Sequence, residues 1–254
     1  VTGVEAAKML LVAAGYDAQL EGLTGNDWAI KTASLASTLG IFDNLSVATS
    51  DPLTRDNAAL LIYNALDIEM IQKYENGYAI AFGDHRTLLS TKYGVYKVEG
   101  VVTGNEWAQL EDTDSEDALA AGKTKMDHVK VYKSTTSNTV VGEYETEKNP
   151  VIFNVSTPVD MLGQTVTMYV RKTTVLANSE VLGVYVNGNN NVVKTTADTQ
   201  DTMKDFLKGT GLSTDKDTEY YLNYAEVDRD SSDTKDVMNV KGATLTVIDN
   251  DNDG

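Results

Sequence analysis

The sequence predicts an α+β chain of more than one domain, a small helical module followed by antiparallel β-rich structure. Three observations predict it. Residues 1–76 alternate helix caps with alanine-rich apolar stripes. From about Tyr78 the texture changes to short Val, Tyr and Thr runs separated by Gly, Asn and Asp. The length of 254 residues also exceeds the usual single-domain size. The expected division is 1–76 helical, 77–197 an antiparallel β domain, and 198–254 a partial β-rich unit ending in an acidic loop.

The helices are justified in order. Thr2 and Glu5 form a T-x-x-E capping box, in which a hydroxyl and a carboxylate satisfy amides that a helix start leaves orphaned. Gly15 ends that helix. A second helix is expected from Asn26 or Asp27 to Gly40, with Trp28, Ala29, Thr32, Ala33, Leu35, Ala36 and Leu39 on one mostly apolar face. Lys31, Ser34 and Ser37 fall on its polar side. After the Asp51-Pro52 turn, Thr54 caps a third helix with Ala58, Leu61, Ile62, Ala65 and Leu66 as its buried stripe. The spacing of Ile68 and Ile71 extends that helix to Tyr74.

Strands follow at 95–102, 129–132, 140–144, 151–155 and 165–171. In the last, Val166, Met168 and Val170 alternate with Thr165, Thr167, Tyr169 and Arg171, so one face is expected buried and one wet. Strands 181–186 and 192–196 flank Asn187-Gly188-Asn189-Asn190-Asn191, which reads as a hairpin connection. A short helix at 201–208 and strands at 219–224 and 244–248 complete the pattern. The connections are too short for helical crossovers, which makes the β region antiparallel.

Composition narrows the function classes. With 38 acidic against 21 basic residues the chain carries a formal charge of −17, which repels nucleic acid and anionic membrane surfaces. Hydrophobic residues at 41% are enough for packed cores rather than disorder. The absence of cysteine removes disulfides, thiolate nucleophiles and cysteine-ligated metals. No run of about 18 apolar residues predicts a membrane-spanning helix. Residues 1–15 are helix-patterned and lack the basic start and cleavage site of a signal peptide, so the true N-terminus is expected to lie elsewhere.

Laying Val1-Thr2-Gly3-Val4-Glu5-Ala6-Ala7 over Leu53-Thr54-Arg55-Asp56-Asn57-Ala58-Ala59 matches the capping threonine and both alanines, an internal repeat of roughly 50 residues. Together with Trp28-Ala29-Ile30, Ala33 and Leu39-Gly40-Ile41, this resembles the S-layer homology family. The family pattern is a tryptophan-bearing helix, a glycine and loop, then a Leu/Ile-Thr-Arg-Ala-Glu start to an alanine-rich helix. One half repeat and one full repeat are present. The resemblance implies a secreted structural protein of the bacterial cell surface, anchored non-covalently to secondary cell-wall polysaccharide, with self-assembly into a surface layer as a further expectation. It also implies glycan-binding roles for Arg55, whose planar fork suits a ketal carboxylate, and for Trp28. Gly3 stands where the first repeat would carry arginine, and Asp56-Asn57 replaces Ala-Glu. Two rival readings are a surface adhesin or receptor whose β region binds a partner, and the anchor part of a wall-attached glycan hydrolase.

The remaining motifs are short. Asp249-Asn250-Asp251-Asn252-Asp253-Gly254 matches the first half of a calcium loop, with carboxylates at alternate positions, making Asp249, Asp251 and Asp253 candidate ligands for an optional calcium ion. Gly122-Lys123-Thr124 imitates the tail of a phosphate loop, but Asp117 occupies the place of its first glycine. His85 and His128 have no zinc-protease spacing, and no G-x-S-x-G is present. No catalytic residue is predicted, and the chain is read as a non-enzyme.

Overall fold

The computed structural model describes residues 1–83, 85–110, 118–132, 140–144, 150–196, 207, 210–214, 218–228 and 242–252, with 140–144 described as backbone alone. The short helix expected at 201–208, apart from Leu207, and most of the acidic runs at 112–117 and 228–233 lie outside the described residues. The chain divides into two compact units, Val1–Lys97 with Tyr132–Val141, and Val98–Val131 with Gly142–Gly254. A helical region followed by an antiparallel β-rich region is what the sequence predicts, and it is what forms.

Helix α1 (Gly3–Ala13) starts on the predicted capping box: the Glu5 amide donates to Thr2 Oγ1 at 3.3 Å and the Thr2 amide donates to Glu5 Oε2 at 2.9 Å. The Thr2 amide holds the Glu5 carboxyl below its ordinary value. Beyond α1, Gly15 adopts φ +96°, and the amides of Gly15 and Tyr16 close onto the carbonyls of Val12 and Leu11. Helix α2 (Trp28–Thr38) stops in the same way at Gly40, φ +74°. Helix α3 (Arg55–Ala65) is capped by Thr54, whose hydroxyl accepts from the Asn57 amide. Ala7, Leu11, Leu23, Ala36, Ile41, Leu61 and Ala65 pack together as a fully buried core.

The expected continuation of α3 to Tyr74 does not form. Strand β1 (Ile71–Glu75) instead pairs antiparallel with β2 (Tyr78–Ala81) as a separate two-stranded sheet. The turn between them is Asn76-Gly77, both at positive φ (51° and 85°), which folds a tight hairpin. A short helix α4 (Leu88–Tyr93), absent from the sequence reading, sits on a Thr87/Ser90 capping box and ends at Gly94 in the left-handed region.

The main sheet takes β3 (Val95–Asn105), β4 (Thr124–Tyr132), β5 (Val140–Tyr144), β6 (Val151–Phe153), β7 (Thr165–Arg171) and β8 (Glu180–Val186) in the order β5-β4-β3-β7-β8, with β6 paired to β4. On β7 the predicted alternation holds, Val166, Met168 and Val170 being fully buried. Phe153, Val98, Val102, Met126 and Val129 are buried in the same unit. The close approach of β3 to β4 requires Gly100, because a Cβ there would lie 2.8 Å from the Asp127 carbonyl oxygen.

The predicted hairpin through 187–191 is a correction. Strand β8 pairs with β7, while β9 (Asn191–Thr196) pairs antiparallel with β12 (Thr244–Asp249) in a different sheet. Side-chain amides make the corner: Asn190 Oδ1 accepts from the Thr165 amide at 2.8 Å and its Nδ2 donates to the carbonyls of Thr165 and Asn187, both at 2.7 Å. The strand expected at 219–224 is a small hairpin of β10 (Tyr221–Leu222) and β11 (Ala225–Glu226) turned at Asn223-Tyr224. No helix among the described residues is long and apolar enough to cross a membrane.

Candidate functional site

The sequence-predicted arginine sits on a groove between two helix starts. The Leu53 amide donates to the Val1 carbonyl at 2.9 Å, and Thr2 bridges antiparallel to Pro52, so the Asp51-Pro52 turn brings the beginning of α3 beside the beginning of α1. Val1, Ala6, Met9 and Leu10 on one side and Leu53, Ala58, Leu61 and Ile62 on the other line a groove of about 490 Å³. Thr54 and Arg55 stand at the α3 end of it. Arg55 is exposed, and none of its donors is engaged by an ion pair or hydrogen bond among the described residues. A guanidinium at the first turn of a helix gains nothing from the helix dipole, which favours anions there.

Two details fix this arrangement. Asn57, two residues after Arg55, is buried: its Nδ2 donates to Thr54 Oγ1 at 3.0 Å and its Oδ1 accepts from the Ser46 hydroxyl at 3.0 Å. It thereby ties the 44–50 loop to the helix start. Gly3 is equally constrained, since a Cβ on it would lie 3.0 Å from the Thr49 carbonyl oxygen, which accepts the Val4 amide. A side chain at position 3, as in the family pattern, has no room without moving that loop.

Trp28 does not share the groove. It is half-buried at the start of α2, with the Lys8 ammonium 5.2 Å from its ring centroid, a cation–π contact between α1 and α2. The structure therefore separates the two residues that the resemblance assigned to one role. Ile62, expected in the buried stripe, is 52% exposed and lines the groove instead. Sequence reasoning missed the groove's apolar wall: Met9, 58% exposed on α1, was assigned to no stripe, and Ile62 was placed in the buried one.

Behind the helices, Tyr74 on β1 holds the loop between α1 and α2. Its hydroxyl accepts from the Asp17 amide at 3.0 Å and donates to Glu21 Oε1 at 2.8 Å. Burial, with the neighbouring carboxylates of Glu21 and Asp17, pushes this phenol up to about 12. Tyr16 is raised as well, first by burial and then by the charges of Glu21 and Glu69.

The calcium candidates end the described chain. Asp249 closes β12 and its Oδ1 accepts from the Asn252 amide at 2.8 Å, while Asp251 is exposed and Asp253 lies outside the described residues. Among the described residues no group of three His, Asp or Glu side chains is placed to hold a metal ion.

Over 137 residues the chain is 30% identical to the Middle cell wall protein of Brevibacillus brevis, a match that takes in 51% of this chain and 12% of that protein. No protein-family model matches the chain, and no solved structure matches it.

Proposed function

We propose that the chain is part of a structural protein associated with the bacterial cell wall, and that its helical unit is an S-layer-homology-type anchor for wall polysaccharide. The single observation that carries the reading is the placement of Arg55: an exposed guanidinium with no protein partner among the described residues, at the mouth of an apolar groove formed by two repeat-related helix starts. The partial likeness to a cell wall protein supports the location. In this reading the groove wall packs against the apolar faces of sugar rings, and the arginine fork pairs with an acidic substituent through two parallel hydrogen bonds, each worth roughly 1.5–3 kcal/mol. The role is binding rather than catalysis.

A pull-down with purified sacculi tests this. Arg55→Ala is expected to lower sacculus binding about tenfold or more while circular dichroism is unchanged, because Thr54 still caps α3 and alanine is a good helix former. Arg55→Lys recovers part of the loss, since it keeps the charge without the planar fork. Removing the acidic ketal substituents from the sacculus polysaccharide is expected to erase the difference between the three versions. Equal binding by all three to untreated sacculi would end the proposal.

A further inference from the structure

A second surface, in the β-rich unit and outside the groove, carries a binding reading of its own. On the wet side of β7 the residues Thr167, Tyr169 and Arg171 stand in a row, and β8 beside it supplies Tyr185 opposite Thr167 and Gly183 opposite Tyr169. Strand β8 ends the order of the main sheet among the described residues. Tyr185 is 59% exposed. A Cβ on Gly183 would lie 2.9 Å from both Cε2 and the hydroxyl oxygen of Tyr185, so the ring lies back over the glycine. It meets Tyr169 edge-on, with centroids 6.3 Å apart and planes at 68°. The missing side chain at Gly183 leaves room for the ring, which stays 59% exposed.

Polar groups bracket the aromatic pair. At one end Asn187 Nδ2 donates to Glu99 Oε1 and to Thr167 Oγ1, both at 3.3 Å. At the other end Arg171 pairs with Glu180 at 2.5 Å, which neutralises the guanidinium. From Thr167 to Arg171 the row runs roughly 14 Å along the strand. An aromatic face laid flat, planar hydrogen-bonding side chains on both flanks and a charge-balanced cation are complementary to an extended, uncharged saccharide chain. Sugar rings offer apolar C–H faces for the tyrosine and hydroxyls for the carboxylate and amide. An anionic polymer is disfavoured by a chain whose formal charge is −17.

We infer that this β7–β8 face is a binding platform for a neutral polysaccharide, with Tyr185 as its stacking residue. The surface goes beyond the wall-anchoring reading and does not depend on Arg55. The full chain run through native gels containing hydroxyethyl cellulose or glycol chitin tests it, with gels containing the acidic polysaccharide released from sacculi as the contrasting arm. At least one neutral glycan is expected to retard the chain, and Tyr185→Ala to weaken that retardation about tenfold with an unchanged melting curve. Tyr185→Phe retains it within about twofold, because the ring face remains. Trp107→Ala, which removes a side chain 64% exposed on the loop beyond β3, leaves it unchanged. Failure of both neutral glycans to retard the chain would overturn the inference. So would equal retardation of wild type and Tyr185→Ala, retardation by the acidic polymer alone, or a loss confined to Trp107→Ala.

Discussion

Tyr74→Phe removes one oxygen and leaves the ring, so it isolates the two hydrogen bonds that tie the β1–β2 hairpin to the loop after α1. The hydroxyl accepts at 3.0 Å from the Asp17 amide and donates at 2.8 Å to the Glu21 carboxylate. A bond to a charged group contributes roughly 1.5–3 kcal/mol when buried and a neutral one about 1. Tyr74 is half-buried and water can replace part of both, so a net loss of about 1–2 kcal/mol is expected. For a unit of this size that lowers Tm by roughly 4–16 °C. The pH dependence provides an independent signature. The folded phenol titrates near 12 against an ordinary 10, because burial and the carboxylates of Glu21 and Asp17 disfavour the phenolate. A group raised in the folded state stabilises fully below its unfolded value and loses that contribution as pH climbs through the folded one. The gap between wild type and Tyr74→Phe should therefore be constant up to about pH 9 and shrink between about pH 10 and 12. Because Tyr16 is also raised and stays in both proteins, the difference between them reports Tyr74 alone. Urea denaturation followed at 222 nm at several pH values measures the gap. A gap under about 0.5 kcal/mol at pH 7, or one that persists undiminished at pH 12, would refute the reasoning.

Two further substitutions follow from backbone and corner geometry. Gly15→Ala places a Cβ 2.7 Å from the Ile71 carbonyl oxygen at a φ of +96°, so a loss of at least about 2 kcal/mol is expected by urea denaturation; neutrality would mean that β1 does not pack against the end of α1. Asn190→Ala deletes three hydrogen bonds at the turn from β8 to β9 and should cost about 2–3 kcal/mol, with amide exchange of Thr165 and its β7 neighbours accelerated first; uniform acceleration across the sheet would argue against a local corner.

The parts of the fold that were legible in the sequence are those governed by local chemistry. Thr2, Glu5 and Thr54 act within one helical turn, Gly15 and Gly40 take backbone angles that other residues resist, and β7 buries alternate residues because the strand period is two. Where helix and strand patterns overlap, periodicity misleads. Ile68 and Ile71 continue the spacing of α3, yet the Asn76-Gly77 pair, available in the same sequence, is a strong hairpin signal and decides for β1–β2. At the candidate site Arg55 was legible as an exposed first-turn cation. The groove was not, because it depends on the pairing of 51–53 with 1–2, a contact set by neither helix alone.

What joined distant segments in most of the unread places is an asparagine side chain. An amide offers two donors and an acceptor in one plane, so a single residue can satisfy several loop backbone groups at once. Asn64 donates to the carbonyls of Ile41 and Asp43, fixing the loop after α2 against α3. Asn105 accepts from the amides of Trp107 and Ala108 and donates to the carbonyls of Thr157 and Pro158, binding the end of β3 to the segment after β6. Asn57 and Asn190 do the same beside the groove and beside the tyrosine platform. In a chain without cysteine, such amides cross-link distant segments as disulfides do in cysteine-rich small domains. Their partners are up to 53 residues away in sequence, and asparagine is equally common in solvated turns, so no local pattern marks which ones are structural. Both proposed binding surfaces are bordered by one of these amide-pinned loops, which holds their edges in place before any ligand arrives and so reduces the ordering cost of binding.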